Sequence, residues 1–303
     1  MPVDTSIEEI HYQTGTLSIH GLACGDQQSE VILCLHGWLD NAASFSPLMS
    51  CLQGRRVIAI DLPGHGLSSH RSPDAHYHFV DWVYDLVQLF EVNGWQKIDI
   101  LGHSMGGMIA SAFAAVFPEK VKSLTLIDSI GFICNEEIHT SRQLRQGLLS
   151  RLKGSPVTAA KTNFENKQKR NHATIESAVN ARVIISGLAR EHAQIIVRRG
   201  IRREENGYAW RADERLKMLS PYRLTTKQAE QLISDIHCPV LLIHASKGLN
   251  MVSSALEHFA PFFKDLHCRQ LPGGHHIHME HPQQTAELIR SFILTSELFG
   301  TSS

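Results

Sequence analysis

The chain has 303 residues, with 29 Lys+Arg against 30 Asp+Glu and a formal net charge of −1. A charge so close to zero gives no bulk attraction to nucleic acid or to an anionic membrane. The acidic start MPVDTSIEEI has no apolar run, so no secretory signal is expected; the apolar stretch 98–117 is interrupted by Asp99, His103, Ser104 and three glycines, so no membrane span is expected. Six scattered cysteines (24, 34, 51, 134, 238 and 268) form no Cys-x-x-Cys pair and read as reduced thiols of a cytoplasmic protein.

In chain order, Glu8–Gln13 and Leu17–Cys24 read as an opening hairpin around Thr14-Gly15. Val31–Leu35 is a short continuous apolar run, the pattern of a strand buried on both faces. Ala42–Leu52 is expected to be helical with Asn41 as N-cap, and Val57–Ile60 is a second buried strand. Tyr77–Asn93 has helical periodicity and stops at Gly94. Ile98–Leu101 is a third strand, Met105–Phe117 a helix stopped by Pro118, and Val121–Ile127 a fourth strand. Repeated strand–helix alternation predicts a mostly parallel, doubly wound α/β sheet, with ligands at the carboxyl ends of its strands.

Residues 130–222 break this pattern. They carry 17 Lys+Arg against 9 Asp+Glu, lack buried-strand runs and read as helices. The expected division is therefore a sheet domain over 1–129 and 223–303, with 130–222 inserted as a helical cap. The α/β pattern resumes with Val240–His244 as strand, Ser253–Phe263 as helix, His267–Leu271 as strand and Pro282–Phe299 as the closing helix. Arg142, Arg145, Arg198, Arg199, Arg202 and Arg203 read as solvated helix faces, with an anionic substrate as the alternative.

Gly102-His103-Ser104-Met105-Gly106 fits G-x-S-x-G, and it lies between a buried strand and a helix. That setting forces a tight turn and leaves the serine hydroxyl exposed at the positive end of a helix. His36-Gly37-Trp38 follows the first buried strand. The N–H of Trp38 with that of Met105 would form an oxyanion hole, unless the turn only closes its strand. Asp61-Leu62-Pro63-Gly64-His65-Gly66 reads as a structural loop. The chain has no Gly-Lys-Ser/Thr and no G-x-G-x-x-G after its first strand, so neither a nucleotide nor any other cofactor is expected. The 19 histidines offer no metal-ligand frame such as H-E-x-x-H, so no metal is expected.

Together, HGWLDNAASF, DLPGHGLSS, GHSMGG and GGHHIHMEHP resemble the α/β-hydrolase fold superfamily, and HGWLDN and DLPGHGLSSH are similar to its serine hydrolase-like proteins. The likeness covers residues 8–129 and 223–300. It implies a nucleophile at Ser104 and a general base on the loop after the last strand. The run Gly-His-x4-Glu-x-Pro puts His275 at that position, with His276, His278 and His281 as competitors. His278 is expected to face back into its loop and bond backbone.

The acid departs from the superfamily's usual pattern. Most members carry an Asp shortly after the strand that is here Val240–His244, but this chain reads Ala245-Ser246-Lys247-Gly248, and the next acid, Glu257, lies mid-helix. Some members, haloalkane dehalogenases among them, place the acid after the strand that follows the nucleophile's helix. Asp128 stands there; otherwise it caps the next loop. The resemblance thus implies a Ser-His-Asp hydrolase of a small ester or related acyl substrate, with carboxylesterase the leading form. Two alternatives stay open: carbon–carbon bond hydrolysis with the same triad, and a weakly catalytic binding or regulatory protein, which the missing acid near Gly248 favours. Nothing in the sequence sets the oligomeric state.

Overall fold

The computed structural model describes residues 6–152 and 171–299. Among them, eight strands form one sheet: β1 (Glu8–Thr14), β2 (Leu17–Cys24), β3 (Val31–Leu35), β4 (Arg56–Ile60), β5 (Ile98–His103), β6 (Val121–Ile127), β9 (Val240–Ala245) and β10 (Leu266–Leu271). Their order is β1-β2-β4-β3-β5-β6-β9-β10. The hairpin β1–β2 is antiparallel and joins β4 antiparallel; every pairing from β4 to β10 is parallel. β4 and β5 are buried along their whole length, which explains why the sequence shows unbroken apolar runs there rather than alternation.

Helices cover both faces. Trp82, Leu86 and Phe90 of Phe79–Asn93, Ile109 and Phe113 of Met105–Val116, and Ile233 of Thr226–Ser234 fill one apolar layer. Phe45, Leu48, Ile289 and Ile293 fill the other. The chain passes from β3 outward to β4 and then returns to place β5 on the other side of β3. In open α/β sheets such a reversal marks the place for a ligand crevice, here beyond the carboxyl ends of β3 and β5. His36-Gly37-Trp38 and Ser104 lie at those two ends.

The expected helix over Ala42–Leu52 is instead a 3₁₀ turn, Ala42–Phe45, and one α-turn, Ser46–Met49. Pro47 has no N–H to return to the carbonyl of Ala43, so no continuous helical ladder can run through it. The helix expected from Tyr77 starts at Phe79, because the His78 side chain and Asp81 form its capping box.

The stretch 130–222 contains the helices Thr140–Leu152, Ile175–Ser186 and Arg190–Gly200. It also contains a hairpin that a helical reading misses: β7 (Ile201–Glu204) pairs antiparallel with β8 (Gly207–Trp210). The turn is only Glu205-Asn206, and each strand is four residues long, too short for period-two patterning to stand out beside the charged run. Residues 153–170 of the expected insertion lie outside the described residues. Ala178, Val179, Ala193, Ile196, Val197 and Ile201 build a third apolar cluster, which Met279 of the sheet domain enters.

The helix after β5 sits very close to β3. A methyl group on Gly106 would stand 2.1 Å from the Leu35 carbonyl oxygen, and one on Gly102 would stand 2.5 Å from the Gly107 Cα. Backbone cannot yield as a flexible side chain can. Gly106→Ala is expected to destabilise the fold by about 1–3 kcal/mol through overpacking, and a denaturant titration with unchanged m-value would measure it.

Candidate active site

Among the described residues, three other than glycine have left-handed φ: Leu39 (60°), Ser104 (52°) and Asp128 (45°). Each follows the carboxyl end of a buried strand, β3, β5 or β6, so three loops turn sharply at the same edge of the sheet. Residues in such conformations persist only where surrounding contacts hold them. Ser104 is held by its N–H donating to the Ile127 carbonyl at 3.2 Å and by Ser129 Oγ donating to its carbonyl at 2.7 Å. Its side chain is half-buried, at the N-terminus of the helix Met105–Val116. The Trp38 turn is close by: a methyl group on Gly37 would stand 3.2 Å from Ser104 Cβ. The Trp38 ring is half exposed, and its Nε1–H donates to the Leu216 carbonyl at 3.1 Å.

His275 Nδ1 lies 2.6 Å from Asp128 Oδ2. The imidazole is mostly buried and the carboxylate fully so. Asp128 also accepts from the N–H of Ala245 at 3.0 Å and of Leu249 at 3.3 Å. The loop after β9 thus lacks a carboxylate of its own and receives one from β6. A methyl group on Gly248 would stand 2.4 Å from Asp128 Oδ1, so the bare glycine makes room for it. The alternative acid, Glu257, is exposed on its helix.

Two of the competing histidines, His276 and His278, have surroundings of their own. His276 Nε2 donates to Asp40 Oδ2 at 2.9 Å. His278 corrects its expectation: it is fully buried and neither ring nitrogen has a partner. It packs against Phe45 and His103, with ring centroids 5.0 and 4.5 Å away, and not on its own loop backbone. The Glu280 carboxylate accepts from the Gly274 N–H at 2.8 Å, which fixes the loop carrying His275 and gives the glutamate of Gly-His-x4-Glu a role.

Two buried carboxylates escaped the sequence reading. Asp61 accepts from the Ala42 N–H (2.7 Å), the Leu67 N–H (2.8 Å) and Arg199 Nε (2.9 Å). Arg199 is therefore buried and paired, contrary to its expected solvated role, because the helix Arg190–Gly200 turns it inward onto the Asp61 loop. Arg142, Arg145, Arg198 and Arg203 are exposed; Arg202 and Arg203 lie on β7 and not on a helix, and Arg202 pairs with Glu204.

The second carboxylate, Asp40, pairs with Arg182 as well as His276. Burial pushes its carboxyl up, but His276 and Arg182 outweigh burial and hold it well below the ordinary carboxylate range. Asp40, His103 and His276 place metal-ligand-type atoms within 4.8 Å of one another. Here, however, Arg182 occupies one carboxylate oxygen and the His276 N–H the other, so the cluster is assembled as a hydrogen-bonded ion-pair network. A groove of about 970 Å³ lies at the opposite end of the sheet, between Pro239, His267 and Phe292, and holds none of these residues.

A sequence model of the alpha/beta hydrolase fold matches residues 30–282, and the chain belongs to that family. Within it the chain is close to the serine hydrolase-like proteins. It is 30% identical to Serine hydrolase-like protein of Danio rerio over 287 residues, 91% of this chain and 85% of that one. It is 29% identical to Serine hydrolase-like protein 2 of Homo sapiens over 294 residues, 89% of each chain. A crystal structure of a hypothetical protein from Pseudomonas aeruginosa superposes with a TM-score of 0.85 at 32% identity, covering 97% of this chain and 99% of that one. The thioesterase domain from the curacin biosynthetic pathway shares the fold, with a TM-score of 0.81 at 23% identity, covering 94% of this chain and 99% of that one. Among the described residues, no helix is long and apolar enough to cross a membrane.

The buried histidines set a pH dependence. Burial lowers His36 to about 4 and His65 to about 3, and burial with neighbouring imidazoles lowers His103 and His278 well below the usual range. Unfolding returns each to about 6.5. The unfolded chain then binds more protons, so stability present above pH 6.5 is lost as pH falls toward 4, at about 1.4 kcal/mol per pH unit for each such group. Asp85, raised to about 6 by burial, opposes this weakly, because the folded chain takes up its proton first. The melting temperature is expected to fall steadily from pH 7 to pH 4.5. A flat profile in buffered thermal melts would contradict this account.

Proposed function

We propose that this protein is a serine hydrolase acting on a small ester or related acyl substrate, with Ser104, His275 and Asp128 as its catalytic residues. The observation that carries the reading is the 2.6 Å contact between His275 Nδ1 and Asp128 Oδ2, in a chain that also holds Ser104 at φ 52° on a strand–helix turn at the same edge of the sheet. With Nδ1–H bonded to the carboxylate, Nε2 is the basic nitrogen. It takes the Ser104 proton as Oγ attacks the acyl carbon. Asp128 holds the tautomer and stabilises the imidazolium without taking a proton itself. The amides of Trp38 and Met105 receive the oxyanion. The protonated His275 then gives its proton to the leaving group, and water activated by the same imidazole releases the acyl group. These steps need only side chains, backbone amides and water.

The reading of a weakly catalytic binding protein rested on the acid missing near Gly248. Asp128 at that spot removes its motive. In the proposed enzyme, the described helices between 130 and 222 cap the serine's edge of the sheet, and a nitrophenyl ester panel of graded chain length would define the acyl preference.

Ser104→Ala is expected to abolish covalent labelling by a fluorophosphonate probe and to lower esterase turnover by about 10³- to 10⁶-fold. Labelling that survives in the variant would remove Ser104 as nucleophile. Asp128→Asn should keep the fold but cut kcat by up to about 10⁴-fold, because the amide favours the wrong imidazole tautomer. Near-normal turnover in that variant would count against Asp128.

A further inference from the structure

Asp40 lies in the loop after β3, buried, with its two oxygens committed in opposite directions. Oδ1 takes the guanidinium of Arg182, which belongs to the helix Ile175–Ser186 of the inserted stretch. Arg182 Nη1 also reaches the carbonyl of Leu39, the left-handed residue next to Asp40, at 3.4 Å. Oδ2 takes the N–H of His276 at 2.9 Å. His276 is the direct neighbour of His275, so one buried side chain joins the insertion to the segment that carries the proposed general base.

Two further contacts make this junction more than one bond. His103 Nε2 donates to the carbonyl of His275 at 2.9 Å, which assigns the proton to Nε2 and leaves Nδ1 bare. That nitrogen, buried and without a partner, lies 3.8 Å from Asp40 Oδ2. An acceptor facing an acceptor gains nothing, so the His103 ring is held by its Nε2–H bond and by tilted packing against His275, His276 and His278, with ring centroids 4.6, 4.8 and 4.5 Å away. Met279, three residues after His276, packs into the insertion's own apolar cluster. Beside Asp40, the Asn41 Nδ2–H donates to the Ile196 carbonyl in the neighbouring inserted helix at 2.9 Å.

We infer that Asp40 is a positioning residue that ties the placement of the inserted helices to the placement of His275. The inference rests on His275 being the general base. A carboxylate with two cationic or N–H partners holds both in fixed relation, and losing one partner leaves a buried charge free to follow the other. When the Arg182 helix shifts, Asp40 moves with it, and His276 and the adjoining His275 follow. Substrate contacts made by the insertion thereby reach the imidazole without touching it.

The test is a double-mutant cycle on the full chain with Asp40→Asn, Arg182→Met, the conservative Arg182→Lys and the double variant. Three quantities are read: kcat and KM on a nitrophenyl ester, the downfield proton resonance of the His275 Nδ1–H bond to Asp128, and the thermal midpoint. Arg182→Met is expected to lower kcat about 10- to 100-fold, as a misplacement near 1 Å does, with KM changed less. It should also move or broaden the His275 resonance, and Arg182→Lys should restore most of both. In the Asp40→Asn background, Arg182→Met should change kcat less than about twofold, the non-additivity expected of residues that act through a shared partner.

Independent, multiplying effects would overturn the coupling, as would an unmoved resonance in Arg182→Met or a loss confined to KM. Should Asp40→Asn fail to fold, His276→Gln removes the other arm and takes its place in the cycle. A wild type that resists fluorophosphonate labelling would sink the serine-hydrolase reading alone; the resonance would still decide the coupling.

Discussion

At Gly106 the backbone of one helix touches the carbonyl end of the neighbouring strand β3 with no room for a methyl group, and at Gly102 and Gly107 the turn folds back on itself as closely. Everything at the carboxyl edge of the sheet depends on this approach. It presses the helix Met105–Val116 onto the sheet and drives Ser104 into its left-handed conformation. It also brings the His36-Gly37-Trp38 turn against the serine. The hydrogen bonds that Ser104 makes to Ile127 and Ser129 then register the end of β6 against the same turn, so that Asp128 starts its loop beside β5.

The second organising feature is a set of polar contacts, buried or partly so, between the sheet's loops and the inserted stretch. Asp61 holds Arg199, Asp40 holds Arg182, Asn41 holds the Ile196 carbonyl, and Trp38 holds the Leu216 carbonyl. All four sheet-side residues come from two short segments, after β3 and after β4. Buried pairs of this kind add less stability than their charge suggests, because desolvation offsets most of the attraction. Their contribution here is geometric: each side chain has one place to go. The segments HGWLDN and DLPGHG therefore do double duty, closing two strands and anchoring another part of the chain.

The fold was legible in the sequence wherever one local signal sufficed. Continuous apolar runs marked the strands, glycines marked the elbow, and Pro118 and Gly94 marked helix ends. Ser104 was readable because the strand, turn and helix that surround it are contiguous. What escaped were pairings across long stretches of chain and elements too short to show a period. Asp40 and His276 are 236 residues apart, and Asp61 and Arg199 are 138 apart; no spacing rule links them. His278 was misread for a related reason: a histidine in a polar-looking loop is buried here by Phe45 and His103, neither of which is near it in sequence. The hairpin of β7 and β8 was hidden by its four-residue strands and charged composition.

Gly248 carries one more consequence. The space a side chain would fill at that position is already taken by the Asp128 carboxylate, 2.4 Å from where the first atom would sit. An acid at position 248 and the Asp128 carboxylate in its present place therefore compete for one volume. A chain that gained a carboxylate at 248 while keeping Asp128 would have to swing the Asp128 carboxylate out of its present place. For a scaffold whose loops are otherwise open to variation, this position is a point where change must come in pairs.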